Sequence, residues 1–203
     1  MNLTKGICTG LAVVAIGAAT APDATAQSNS PPPRAATAPR RGGRFMLRAP
    51  DLTSRGRIAI SHVFNGMGCT GQNISPTLEW SHAPAGTKSF AVTAYDPDAP
   101  TGSGWWHWVM YNIPATTTSL AAGAGNGRNA PRGSTQGTTD FGTRGYGGPC
   151  PPPGDSPHHY KFTVFALKVD KLDLPGNATA AYVGFNLNAN KLATASVTAL
   201  YGR

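Results

Sequence analysis

Charge is scarce in this chain: Asp, Glu, Lys and Arg make up only 13% of its 203 residues. With so little charge, and with 25 glycines and 18 prolines, long amphipathic helices are not expected and a turn-rich β architecture is favoured. Cysteine is scarce too. There are three, none with a CxxC neighbour, so the spacing excludes a zinc-finger framework. No G-x-S-x-G elbow and no HExxH pair occurs, which removes the commonest hydrolase and zinc-protease signatures. No internal repeat is visible. The length suits one domain with a full core.

What is present begins with an export pattern. Lys5 precedes an apolar stretch from Ile7 to Ala19, followed by Ala24-Thr25-Ala26, a small-residue cleavage site before Gln27. The stretch falls short of the roughly 20 residues needed to span a bilayer. Residues 1–26 therefore read as a signal peptide and the mature protein as periplasmic or secreted. Cys8 goes with the signal. Cys69 and Cys150 remain, and an even count in an oxidising compartment argues for one bridge, the alternative being two free thiols.

The net charge of +8 points to a polyanion until it is mapped. Residues 27–48 hold Arg34, Arg40, Arg41, Arg44 and Arg48 with no acid, among Pro31, Pro32, Pro33 and Pro39. From residue 49 onward 11 Lys or Arg face 8 Asp or Glu. The basic stretch reads as a disordered arm, a spacer or a peripheral contact with anionic surfaces. A nucleic-acid partner is not expected, because no binding motif accompanies the charge. Residues 49–203 form the domain.

Within it, β-branched and aromatic enrichment predicts strands over 57–64, 77–80, 89–95, 106–113 and 160–169. The last is apolar on both parities, as in a strand covered on both faces. Residues 178–196 have the composition of one or two helices, and a short strand closes the chain over 196–201.

Two segments carry candidate chemistry. In Asp96-Pro97-Asp98-Ala99-Pro100 the prolines restrict the backbone, either to hold two carboxylates for a ligand or to make an Asx-type turn. A Gly-rich turn and Trp105-Trp106-His107-Trp108 follow. The second segment is Pro157-His158-His159-Tyr160, where strand alternation puts His158 and Tyr160 on one face and His159 on the other. Converging Asp, His and Tyr side chains offer donors and acceptors for phosphate or carboxylate.

These segments, with Asn73-Ile74-Ser75-Pro76-Thr77-Leu78-Glu79-Trp80 and the glycine- and proline-rich run from Tyr146 to Tyr160, resemble the bacterial, Raf kinase inhibitor-like branch of the phosphatidylethanolamine-binding protein family. The resemblance extends from about Phe45 to Arg203. It implies a mainly β fold, a β-sandwich built on a large antiparallel sheet with a few peripheral helices. The ligand pocket it implies uses Asp96, Asp98, Pro100, His107, Pro152, His158 and Tyr160. The family's second motif has Arg where this chain has His159, a departure at a surface contact. Cys69 and Cys150 match cysteines common in exported members, which strengthens the disulfide reading.

The implied function is binding of a small anion or phospholipid head group without turnover, with neither cofactor nor metal required. Inhibition of a partner protein such as a protease, and hydrolysis by the Asp/His pocket, are the alternatives. If His107 or His158 is protonated to meet an anion, binding weakens as pH rises above about 7.

Overall fold

The computed structural model describes residues 43–52 and 56–203, all within one compact unit. The signal segment and most of the basic arm lie outside the described residues. The arm's expected end at Arg48 is corrected: Met46–Arg48 is strand β1. Phe45 and Leu47 alternate with exposed neighbours and are buried, so this stretch has apolar surface enough to join the core.

The remaining strands are β2 (Asn65–Gly66), β3 (Cys69–Thr70), β4 (Leu78–Ser81), β5 (Ser89–Asp96), β6 (Trp105–Pro114), β7 (Ser119–Leu120), β8 (Thr135–Gln136), β9 (His158–Leu167) and β10 (Lys191–Tyr201), with helix α1 at Ala180–Asn190. They form a five-stranded sheet in the order β10-β9-β5-β6-β8, a three-stranded sheet β1-β4-β7 and the hairpin β2-β3. Every pairing within these sheets is antiparallel.

Alternation decides what each face of the large sheet packs against. Phe90, Val92 and Ala94 of β5, with Phe162 and Val164 of β9, meet Leu47, Leu78 and Trp80 of the smaller sheet. The opposite parity, Ala91, Phe165 and Leu167, packs under Val183 and Leu187 of α1. β9 is thus covered on both faces, which is why its sequence is apolar on both parities.

Two expected elements differ. Residues 57–64 form no strand but a bridge from Arg57 to Leu200 and a short 3-10 turn at Ile60–His62. The following loop takes the carbonyls a ladder would use: Asn73 donates to Val63 at 2.8 Å and Ile74 to Ser61 at 3.0 Å. The expected helix stops at Asn190, and residues 191–196 are already β10. There Ala193, Ala195 and Val197 pack against the core at period two while the backbone pairs with β9. Long-range pairing outweighs the helix propensity of Ala, Leu and Lys.

Cys69 and Cys150 are bonded, Cα atoms 6.0 Å apart, and close a loop 81 residues long. Replacing both with serine should lower unfolding stability by about 4 kcal/mol on the chain-entropy model. Urea titration of the paired variant checks this; a midpoint matching the wild type would mean the denatured chain gains nothing from the cut.

Candidate functional site

At one end of the large sheet, β5, β6 and β9 bring three chemistry-bearing segments to the wall of a cavity of about 260 Å³. Asp96 ends β5, His107 sits near the start of β6, and His158 and Tyr160 open β9. Pro100, Pro152 and Arg203 complete much of the lining.

Asp96 is almost wholly buried. Its Oδ2 accepts from His158 Nδ1 at 2.8 Å, and its Oδ1 accepts the backbone N–H of Asp98, also at 2.8 Å. Tyr160 stacks beside the His158 ring, with centroids 6.4 Å apart. The second ring nitrogen of His158 reaches Asp155 at 3.4 Å. With an acceptor at each nitrogen, His158 is held as a doubly donating ring. Burial pushes its pKa down, but the Asp96 hydrogen bond and charge outweigh that and leave it above the ordinary value. Burial likewise drives the Tyr160 phenol up, with Asp96 adding to it, so the hydroxyl keeps its proton.

His107 is built differently. Its Nδ1–H donates to the Gly147 carbonyl at 2.8 Å, and Gly147 N–H returns a bond of the same length to the His107 carbonyl. Glycine is required on that facing segment because a Cβ at Gly148 would sit 2.1 Å from the His62 carbonyl oxygen, a backbone atom. Asn73 holds the segment from the other side, accepting from Gly148 N–H at 2.7 Å and donating to the Tyr146 carbonyl at 3.2 Å. Burial depresses the His107 pKa to about 4, so the ring is neutral at physiological pH. The expectation that a protonated His107 meets an anion is corrected on this point.

Asp98 is also corrected. It stands outside the cavity lining, exposed, accepting the backbone N–H of His159 at 2.7 Å and its Nδ1–H at 2.8 Å. The His159 backbone bond above all, helped by the ring, holds its carboxyl below the usual range. Strand alternation does not carry from Asp96 to Asp98, because β5 ends at Asp96 and the chain turns through Pro97. His159 points away from the cavity, as alternation requires.

Among the lining residues that sequence reasoning missed, Arg203, Trp105 and Phe141 matter most. Arg203 spans the two loops joined by the disulfide, donating from Nε to Pro151 at 2.7 Å and from Nη1 to Gly68 at 2.8 Å. Its position near the chain's end gave no motif to find it by. Trp105 and Phe141 supply an aromatic wall, in edge contact at 5.4 Å. No group of three or more His, Cys, Asp or Glu side chains among the described residues is placed to hold a metal ion.

Residues 49–202 match the family model described as phosphatidylethanolamine-binding protein. The chain belongs to that family. The Escherichia coli protein YbcL is 55% identical over 159 residues, covering 77% of this chain and 87% of its own. Its crystal structure superposes with a TM-score of 0.76 at 53% identity, over 79% of this chain and 99% of that one. YbhB of the same organism is 54% identical over 152 residues, 74% of this chain and 96% of its own. A Mycobacterium tuberculosis relative described as the lipoprotein LppC, with the qualifier that its assignment is provisional, is 40% identical over 111 residues, 55% of this chain and 51% of its own. Membership of the family gives the chain the character of a binding protein, and the mainly β fold agrees with it.

The two cavity histidines make opposite pH contributions. A folded pKa of about 4 for His107 means that its contribution is complete above an unfolded value of about 6.5 and is lost as pH falls toward 4, by up to about 3 kcal/mol. His158, raised in the fold, contributes fully below about 6.5 and less as pH climbs through its folded value. Urea unfolding between pH 4 and 8 should therefore show a shallower acid loss in His107→Gln and a shallower alkaline loss in His158→Gln. An unchanged acid slope in His107→Gln would refute the burial argument.

Proposed function

We propose that this protein is an exported binding protein whose cavity takes a small anion, a phosphate or phosphorylated head group, and releases it unchanged. The observation that carries the reading is the charge on the cavity wall. Arg203 and a protonated His158 stand against the single carboxylate of Asp96, so the lining is net positive and a compact anion is favoured. The volume, about 260 Å³, lies below the roughly 300 Å³ at which drug-sized pockets begin. It suits a head group better than a whole lipid.

Absence of turnover is argued from the lining's nucleophiles. Cys150 is spent in the disulfide, the Thr101 hydroxyl donates to the Gly104 carbonyl, and burial keeps the Tyr160 phenol protonated. None of them has an unprotonated nucleophilic oxygen or sulfur beside a free base. Export is supported by the amino-terminal sequence pattern, by the disulfide and by the lipoprotein relative. In this reading the basic stretch that precedes strand β1 is a spacer that can rest on anionic surfaces.

Calorimetric titration of the protein with inorganic phosphate and with phosphoethanolamine at pH 6 tests the reading. Saturable binding is expected, at least tenfold weaker in His107→Ala of matched thermal midpoint. If neither compound binds the folded wild type, the cavity is not an anion site and weight passes to inhibition of a partner protein.

A further inference from the structure

A second cavity, of about 160 Å³, is built on the far end of β6 and shares no lining residue with the first. Its polar wall combines Tyr111 of β6, Thr135 of β8, Thr138 and Arg144 from the loop after β8, and Lys171 from the loop before α1. Asn112 holds that last loop, accepting from Leu172 N–H at 2.7 Å and donating to the Leu172 carbonyl at 3.2 Å. Arg144 is placed by a backbone bridge to Thr138 and donates one N–H to the Gly176 carbonyl of the same loop. The frame is therefore tied from two directions before any ligand arrives.

The groups that face the space are not used up by the frame. Tyr111 is only 6% exposed, and its hydroxyl has no hydrogen-bond partner among the described residues. Yet the buried side-chain N and O atoms lacking one there are only Trp80 Nε1 and Trp105 Nε1, so the Tyr111 hydroxyl opens onto the cavity that its residue lines. Burial drives the phenol up more than the Arg144 charge draws it down, so the hydroxyl keeps its proton and can donate. No carboxylate among the described residues is ion-paired with Arg144 or Lys171. Asp173 is the wall's single acid against those two cations.

A lining of net positive charge, with a hydroxyl donor beside a guanidinium, favours a compact monoanion over a dianion or a cation. The planar guanidinium fork matches both oxygens of a carboxylate. Leu172, Leu174 and Ala178 make part of the wall apolar, and the volume is close to the roughly 150 Å³ of a cavity that holds one benzene ring.

We infer that this cavity is a second ligand site, which takes a small free monocarboxylate of about six heavy atoms, its carboxylate on Arg144, Lys171 and the Tyr111 hydroxyl and its short hydrocarbon against Leu172 and Leu174. The site is independent of the anion reading of the first cavity.

Butyrate has the required size and charge. In an amide NMR titration of the full chain at pH 7, butyrate is expected to shift Gly137, Thr138 and Gly176 saturably, while butylammonium and butanol leave them in place. Tyr111→Phe removes only a hydroxyl that no protein group uses, so its thermal midpoint should match the wild type while butyrate binds about tenfold more weakly, the scale of one hydrogen bond to an ion. Arg144→Gln should lose at least as much, and His107→Ala should lose nothing.

No saturable shift with butyrate, equal shifts with butanol, or an affinity unchanged in both Tyr111→Phe and Arg144→Gln overturns the inference. So do shifts confined to residues of the first cavity. Inorganic phosphate bound at these amides as tightly as butyrate overturns the choice of a carboxylate. N-acetylalanine bound more tightly than butyrate overturns the free acid in favour of the carboxyl end of a peptide.

Discussion

Asp96 is the anchor of the site, because a carboxylate buried at the end of a strand must be satisfied on both oxygens. Two hydrogens converge on it, from the His158 ring and the backbone of Asp98. The first fixes the side chain that opens β9, and the second turns the chain after β5. Remove the carboxylate and each of those groups loses the partner that orients it. A charge that is costly to bury thus sets the shape of the floor rather than adding to stability.

The rim is governed by different forces. The disulfide joins the β2-β3 hairpin to the proline-rich loop, and Arg203 bridges the same two segments through their carbonyls. One link is covalent and insensitive to salt. The other is a hydrogen-bonded cation that also lines the cavity. Floor and rim meet at His107, whose tautomer is set from behind by the Gly147 carbonyl and hence by the glycines and Asn73 that place that segment.

Much of this was legible in the residues. The three strands that carry the site announced themselves through β-branched and aromatic runs, and alternation placed His158 and Tyr160 together with His159 opposite. Cys69 and Cys150 were paired by count. Four things were hidden. Asp98 was read as a cavity residue because the motif takes both carboxylates together, whereas the chain turns at Pro97 and gives Asp98 to His159. Residues 57–64 have strand composition, but their carbonyls are claimed by a loop that no local pattern reveals. The tautomer of His107 depends on one carbonyl 40 residues away. Arg203 lacked any motif at all.

The order of strands in the large sheet has a consequence in time. β5 pairs on one side with β6, its neighbour in the chain, and on the other with β9, where Ser89 lies opposite Leu167. The hairpin can close early, but the second pairing must wait for a loop of many residues to be drawn shut, the kind of contact that slows folding. Because His158 and Tyr160 arrive only with β9, a chain halted at the hairpin has half a floor and nothing with which to hold a ligand. Any ligand the cavity takes can therefore recognise only the finished protein, and by mass action it stabilises that state over every unfinished one.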